Sequence, residues 1–162
     1  MARIPTDQRA QASIIDRLLD DEPKRSQDPA ITQAQTVRNY RAAVRRDLDW
    51  LLNTRCSIVE APEEMTEAER SLYAYGLRDY THLSFSSLPH RQQVSRNILR
   101  AIENFEPRLS HVTIVLGDQN VNDRRTVHFQ ISAMLHLDPA PEPITFDATF
   151  DVARGEYRVK ED

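Results

Sequence analysis

The chain divides by the period of its apolar residues. Up to Phe105 they recur every three or four positions, and from Val112 onward every second position. A helix repeats its face every 3.6 residues and a strand every two, so the pattern predicts helices followed by a sheet. Ile14, Ile15, Leu18 and Leu19 fall at helical spacing in SIIDRLLD (residues 13–20), behind Ser13 as N-cap. Val37, Tyr40, Val44, Leu48 and Leu51 stripe a second helix, which starts near Thr32 with a Thr32–Gln35 capping box and ends near Asn53. Trp50, near its end, is expected in the core. Thr66 and Glu69 form another capping box, which with Gly76 as a stop predicts a short helix over 67–75. Ser87 caps a further helix with Pro89 in its first turn and Val94, Ile98, Ala101, Ile102 and Phe105 as its buried stripe.

In the second half, Val112, Ile114 and Leu116 share one face of a first strand. Val127, Phe129, Ile131, Ala133 and Leu135 share one face of a second, and Ile144, Phe146, Ala148, Phe150 and Val152 one face of a third. Tyr157 and Val159 suit a short fourth. Strict alternation marks antiparallel strands covered on one side only. The connections DQNVNDR, DPAPEP and Arg154-Gly155 read as hairpin loops. The predicted fold is α+β, with N-terminal helices packed on one face of a C-terminal antiparallel β-meander. Residues 1–31 read as a flexible extension carrying a short docking helix, and 32–162 as one α+β domain. The first strand and the strand at 156–160 are the candidate edges, and an uncovered edge offers unpaired backbone groups to another chain.

Composition removes several functions. The 162 residues carry 21 basic and 25 acidic side chains, which gives no general case for nucleic acid binding. Cys56 is the only cysteine, so an internal disulfide and any multi-cysteine metal site are excluded, and no cofactor is expected. MARIPTDQRA has no apolar core for a secretory signal, and no apolar run approaches the ~20 residues needed to cross a bilayer. The expected location is the cytoplasm.

Candidate chemistry gathers at Glu106-Pro107-Arg108, between the last helix and the first strand. Pro107 cannot donate a backbone hydrogen bond and biases Glu106 away from helical geometry, so the two charged residues flank a stiff corner. The corner reads either as a turn with an incidental ion pair or as a presented binding element. Arg38, Arg41 and Arg45 lie three and four apart on the second helix, as a solvated face or a basic contact surface; Asp49, one turn beyond Arg45, suits an exposed salt bridge. Glu103 and Glu106 raise glycoside hydrolysis, which needs two carboxyls roughly 5–10 Å apart across a cleft. No sequence feature builds that cleft, and no enzymatic activity is expected. His128 and His136 are eight residues apart, roughly 27 Å in an extended strand, too far to share a metal.

Four stretches in order, SIIDRLLD, RRDLDWLLNTR (45–55), YGLRDY (75–80) and IENFEPRL (102–109), resemble the TssE family of baseplate subunits in bacterial type VI secretion systems. That family is similar to a wedge protein of contractile-phage baseplates and carries the label "lysozyme-like". The resemblance covers about residues 13–159. The family usually has proline where this chain has Arg78. The resemblance implies a non-catalytic structural protein that sits in the cytoplasmic baseplate with TssF, TssG and TssK. It would lie beneath the TssB–TssC sheath and help start its assembly. It also implies that Glu106, Pro107 and Arg108 hold the wedge together, and that the sheet is similar to the strand-exchanging part of a sheath subunit.

Overall fold

A computed structural model describes residues 13–18, 33–57, 65, 67–117, 126–138 and 140–161. The elements are α1 (Ile14–Leu18), α2 (Gln33–Asn53), a 3-10 turn (Ala68–Arg70), α3 (Leu88–Phe105) and four strands. The strands are β1 (Leu109–Leu116), β2 (Thr126–Leu135), β3 (Glu142–Asp151) and β4 (Glu156–Glu161). They pair antiparallel in the order β1-β2-β3-β4, so each strand neighbours the next in sequence and the sheet is the predicted meander. The fold is α+β. Val44, Leu48, Leu51 and Leu52 of α2 and Val94, Ile98, Ala101 and Ile102 of α3 pack against the inner face of the sheet. That face carries Phe129, Ile131, Leu135, Phe146 and Phe150, all buried. Burying a side chain of this size stabilises by about 1.5–3 kcal/mol.

The first strand keeps its inward face only by breaking its own alternation. Leu109 is buried and Val112, Ile114 and Leu116 pack on the core, although 109 and 112 are out of phase. A β-bulge supplies the extra residue: Ser110 pairs with Met134 and Thr113 with Ser132, three steps on β1 against two on β2. His111 carries the kink at φ 52°, in the left-handed region that non-glycine residues seldom occupy.

Several local expectations are corrected. The helix expected over 67–75 is only the 3-10 turn Ala68–Arg70. Gly76 stops no helix; at φ 109° it lets its backbone lie so close to Thr54 that a Cβ would stand 2.4 Å from the Thr54 carbonyl oxygen. There Leu77 N–H donates to the Thr54 carbonyl at 2.9 Å, and Cys56 N–H returns a bond to the Leu77 carbonyl. Ser87 occupies the N-cap of α3 without a side-chain cap bond. Trp50 is 47% exposed rather than in the core. The caps expected at Thr32 and Thr66, the apolar Leu19 and the stretch that follows it lie outside the described residues.

The sheet's two edges differ. Along β4, side chains of α2 take the place of a fifth strand. Tyr157 N–H donates to Asn53 Oδ1 at 2.9 Å, and Asn53 Nδ2 donates to the Tyr157 carbonyl at 2.9 Å. Val159 N–H donates to Asp49 Oδ1 at 3.2 Å, and Arg45 Nη1 reaches the Val159 carbonyl at 3.5 Å. The expected edge at 156–160 is therefore closed. On β1, Gly117 N–H bonds to the His128 carbonyl. Counting back from that bond by alternation, the backbone groups of Thr113 and Val115 face β2, and those of Ile114 and Leu116 face away from it. Among the described residues no partner meets these outward groups.

Asn53→Ala removes both bonds to Tyr157 and is expected to cost about 1–2 kcal/mol in urea unfolding, against the near-neutral result normal for an exposed helix position. No measurable loss would mean that water replaces the amide without cost and that α2 does not hold this edge.

Candidate functional site

The corner begins where α3 stops. Glu106 N–H still closes the last helical turn on Ile102 at 2.8 Å, but the residue has left the helix at φ −121° and ψ 77°. Leu109 N–H then returns to the Glu106 carbonyl at 3.1 Å and β1 starts. Proline at 107 forbids a continued helix, so the Glu106 side chain is turned into the protein, where it is only 4% exposed.

A buried carboxylate must be matched, and Arg108 matches it twice. Nε donates to Glu106 Oε1 at 2.6 Å while Nη2 donates to Oε2, the paired fork that lysine cannot copy. Arg108 N–H adds a longer bond to Oε1 at 3.3 Å. Nη2 also reaches Asp47 Oδ2 on α2 at 2.6 Å. Asp47 Oδ1 in turn accepts from Arg46 Nε at 2.9 Å and Nη2 at 2.7 Å. Arg46 Nη2 continues to Asp16 Oδ1 on α1 at 2.8 Å. Asp16 closes the series as a capping box with Ser13, giving and receiving bonds of 2.7–3.1 Å. Three carboxylates and two guanidiniums thus alternate from the corner across α2 to α1. Two aromatic rings flank them: Tyr40 lies 5.8 Å from the Arg108 guanidinium carbon and Trp50 lies 4.9 Å from that of Arg46, within cation–π range.

Charge matching holds Arg108 and Asp16 in their charged forms. Burial works against the Arg108 cation, but the bonds and charges of Glu106 and Asp47 outweigh it and raise its pKa further. Burial opposes the Asp16 anion too, but hydrogen bonds from Ser13 and Arg46 outweigh it and hold its carboxyl below the ordinary value. Burial raises the pKa of Tyr40, with Arg108 opposing and Glu106 adding to the shift.

The other sequence candidates separate. Arg41 pairs with Glu142 at 2.9 Å and Glu161 at 3.5 Å, and Arg45 leans on β4, so both are engaged by the sheet. Arg38 is exposed. Arg45 and Asp49 form no ion pair, because Asp49 is turned to the β4 backbone. Glu103 is exposed on α3 and Glu106 has both oxygens bound to Arg108, so the two face no common cleft. Among the described residues no group of three or more His, Cys, Asp and Glu is placed to hold a metal. Asp47, Arg46 and Asp16 are members of the site that the sequence pattern does not single out. The available signal is that RRDLDWLLNTR and FEPRL, the most specific stretches, meet in space through Asp47 and Arg108.

A family profile described as "Baseplate wedge protein gp25" matches residues 38–140, well over half of the chain. The chain belongs to the baseplate wedge family. The matched span contains Arg46, Asp47 and the whole Glu-Pro-Arg corner, and leaves out Asp16. Membership gives the chain a structural role among the components of a baseplate. No helix among the described residues is long and apolar enough to cross a membrane. No curated protein matches the chain.

Arg108→Ala is expected to destabilise the free subunit by about 3–5 kcal/mol in urea unfolding, because Glu106 is left buried without its cation. Replacing Glu106 by leucine in the same chain should recover a large part of that loss. A cost below about 1 kcal/mol for the single variant would show the pair to be a surface ion pair.

Trp50, the only tryptophan, reports the far end of the series through Arg46. A lowered Asp16 pKa means that its contribution is fully present above the unfolded value of about 3.9 and is lost as pH falls through the folded one. Trp50 emission should therefore be constant from about pH 8 to 5 and change below about pH 4. Asp16→Asn should show the acid spectrum already at about pH 6; a wild-type spectrum there would detach Asp16 from Trp50.

Proposed function

We propose that this chain is a non-catalytic TssE-like baseplate subunit of a type VI secretion system, working in the cytoplasm. The observation that carries the reading is the match to the baseplate wedge family across the Glu-Pro-Arg corner and the α2 segment that receives it. In this reading the corner docks on the wedge partners TssF and TssG, with TssK completing the baseplate. The geometry supports a rigid, prebuilt element. Pro107 is exposed at its tip, and the Arg108 fork is already set against Glu106 and Asp47 before any partner arrives. Arg38, exposed on α2, would add a basic contact. The open edge of β1 would receive a strand from the TssB–TssC sheath and so help sheath assembly begin. Against the alternative, a peptidoglycan hydrolase using Glu103 or Glu106, stands a Glu106 carboxylate fully occupied by Arg108.

The corner is tested with Arg108→Lys, which keeps the charge but loses the fork. Purified below its melting temperature, it should recover TssF and TssG at least about tenfold less well than wild type in a pull-down, as a desolvated charged contact requires. Equal recovery would reduce Glu106-Pro107-Arg108 to a structural turn.

The β1 edge is tested with proline at Ile114, whose N–H faces away from β2, so the internal ladder is spared. Ile114→Ala controls for the lost side chain. Sheath assembly should fail with proline and persist with alanine, both proteins being folded by circular dichroism; assembly with both would remove strand addition from the mechanism.

A further inference from the structure

The sheet and the corner leave one large feature unused. α3 has a second stripe besides its buried one. Gln93, Arg96, Asn97, Arg100 and Asn104 follow helical spacing and line one wall of a groove of about 590 Å³. The opposite wall is the segment after the 3-10 turn, with Tyr73 and Gly76–Arg78, pinned to the end of α2. We propose that this groove binds an extended peptide segment of a partner protein, carrying acidic side chains at alternate positions.

Three observations carry the proposal. The first is length. From Gln93 to Asn104 the stripe spans eleven helical steps, about 16 Å at the helical rise, which equals about five residues of extended chain. The second is the kind of group offered. Three amide side chains can each donate to and accept from a peptide backbone, and the Asn97 amide is held in place by its bond to the Tyr80 hydroxyl at 2.9 Å. The third is charge. On a chain of net charge −4 the described residues of this groove are predominantly basic, with Arg96 and Arg100 on one wall and Arg78 on the other. Its one carboxylate among the described residues, Glu69, meets Arg100 at 2.9 Å in a pair exposed on both sides. Such a pair is worth about 0–1 kcal/mol, so an incoming carboxylate displaces it cheaply.

The spacing fixes the pattern. Arg96 and Arg100 are four helical residues apart, a rise of about 6 Å. Alternate side chains of an extended strand stand about 6.6 Å apart on one face. An acidic residue, any residue and a second acidic residue therefore meet both guanidiniums. Single-stranded nucleic acid fits less well. Among the described residues only Tyr73 and Phe105 offer partly exposed rings there, where a base-stacking series is needed.

The test is fluorescence anisotropy on the full chain with a fluorescein-labelled ten-residue peptide of alternating glutamate and serine, in low salt. Saturable binding is expected, weakened at least about tenfold in Arg96→Glu with Arg100→Glu and weakened by added sodium chloride. Glu69→Gln, which frees Arg100, should tighten binding severalfold; this gain cannot come from misfolding. A lysine–serine peptide should not bind. Absence of saturable binding, equal binding by the double variant, or no gain from Glu69→Gln would overturn the site. Equal binding of a peptide with its glutamates in one block would overturn the spacing, and displacement by oligothymidylate at equal concentration would overturn the peptide assignment.

Discussion

The buried Glu106 carboxylate is the constraint from which the corner follows. A carboxylate taken out of water costs several kcal/mol unless a cation and hydrogen bonds replace the lost hydration. Arg108 is the nearest possible cation, two residues along and across a proline, so it must turn inward beside it. Its guanidinium then has donors to spare, and Asp47 takes one of them. This step joins the helix-to-strand junction to α2, a helix 61 residues earlier. The end of α3, the residue before β1 and α2 become parts of one object. The remaining members, Arg46 and Asp16, extend that object to α1 without requiring any apolar contact from it. Ile14 and Leu18 of α1 are accordingly 77% and 78% exposed.

A second constraint shapes α2. A helix lying beside a sheet edge faces a row of backbone donors and acceptors spaced for another strand. Asp49 and Asn53 are one helical turn apart and meet Val159 and Tyr157, two strand residues apart. The helical turn and the strand dipeptide are close enough in length for the two side chains to serve both. Polar residues next to the apolar stripe of α2 are thus part of how the sheet ends. Arg41 continues the same line to the carboxylates of Glu142 and Glu161.

What the sequence discloses follows from the range of the interactions involved. Periodicity is local, and it places α2, α3 and the inward faces of β2, β3 and β4 correctly. It also gives Val112, Ile114 and Leu116 of β1, but Leu109 is out of phase with them, and only the bulge at His111 reconciles the two. The helix expected over 67–75 rests on a capping signal without an apolar stripe to bury, and the chain there follows the end of α2 instead. Size alone puts Trp50 in the core, but its ring serves as a platform for Arg46. The corner is visible because proline between two charges is a local mark. Its partner Asp47 is not, because an aspartate on a helix surface looks the same whether its cation is water-facing or 61 residues away. Arg41 and Arg45 escape for the same reason: a row of arginines does not disclose that a sheet edge runs beside it.

The unequal edges give the sheet a valence of one. A sheet that adds strands at both sides is a two-handed unit: copies of it join into an open-ended ribbon, and nothing in the joint limits the number. Here one hand is already held by α2, through groups of the same chain that stay beside it without any encounter. The open side of β1 is the other hand, and it is short, interrupted by the bulge at His111. A unit of valence one can begin or end a row of paired strands but cannot stand in the middle of it. In the proposed mechanism the direction of growth is thereby set within a single molecule, before any second molecule has arrived.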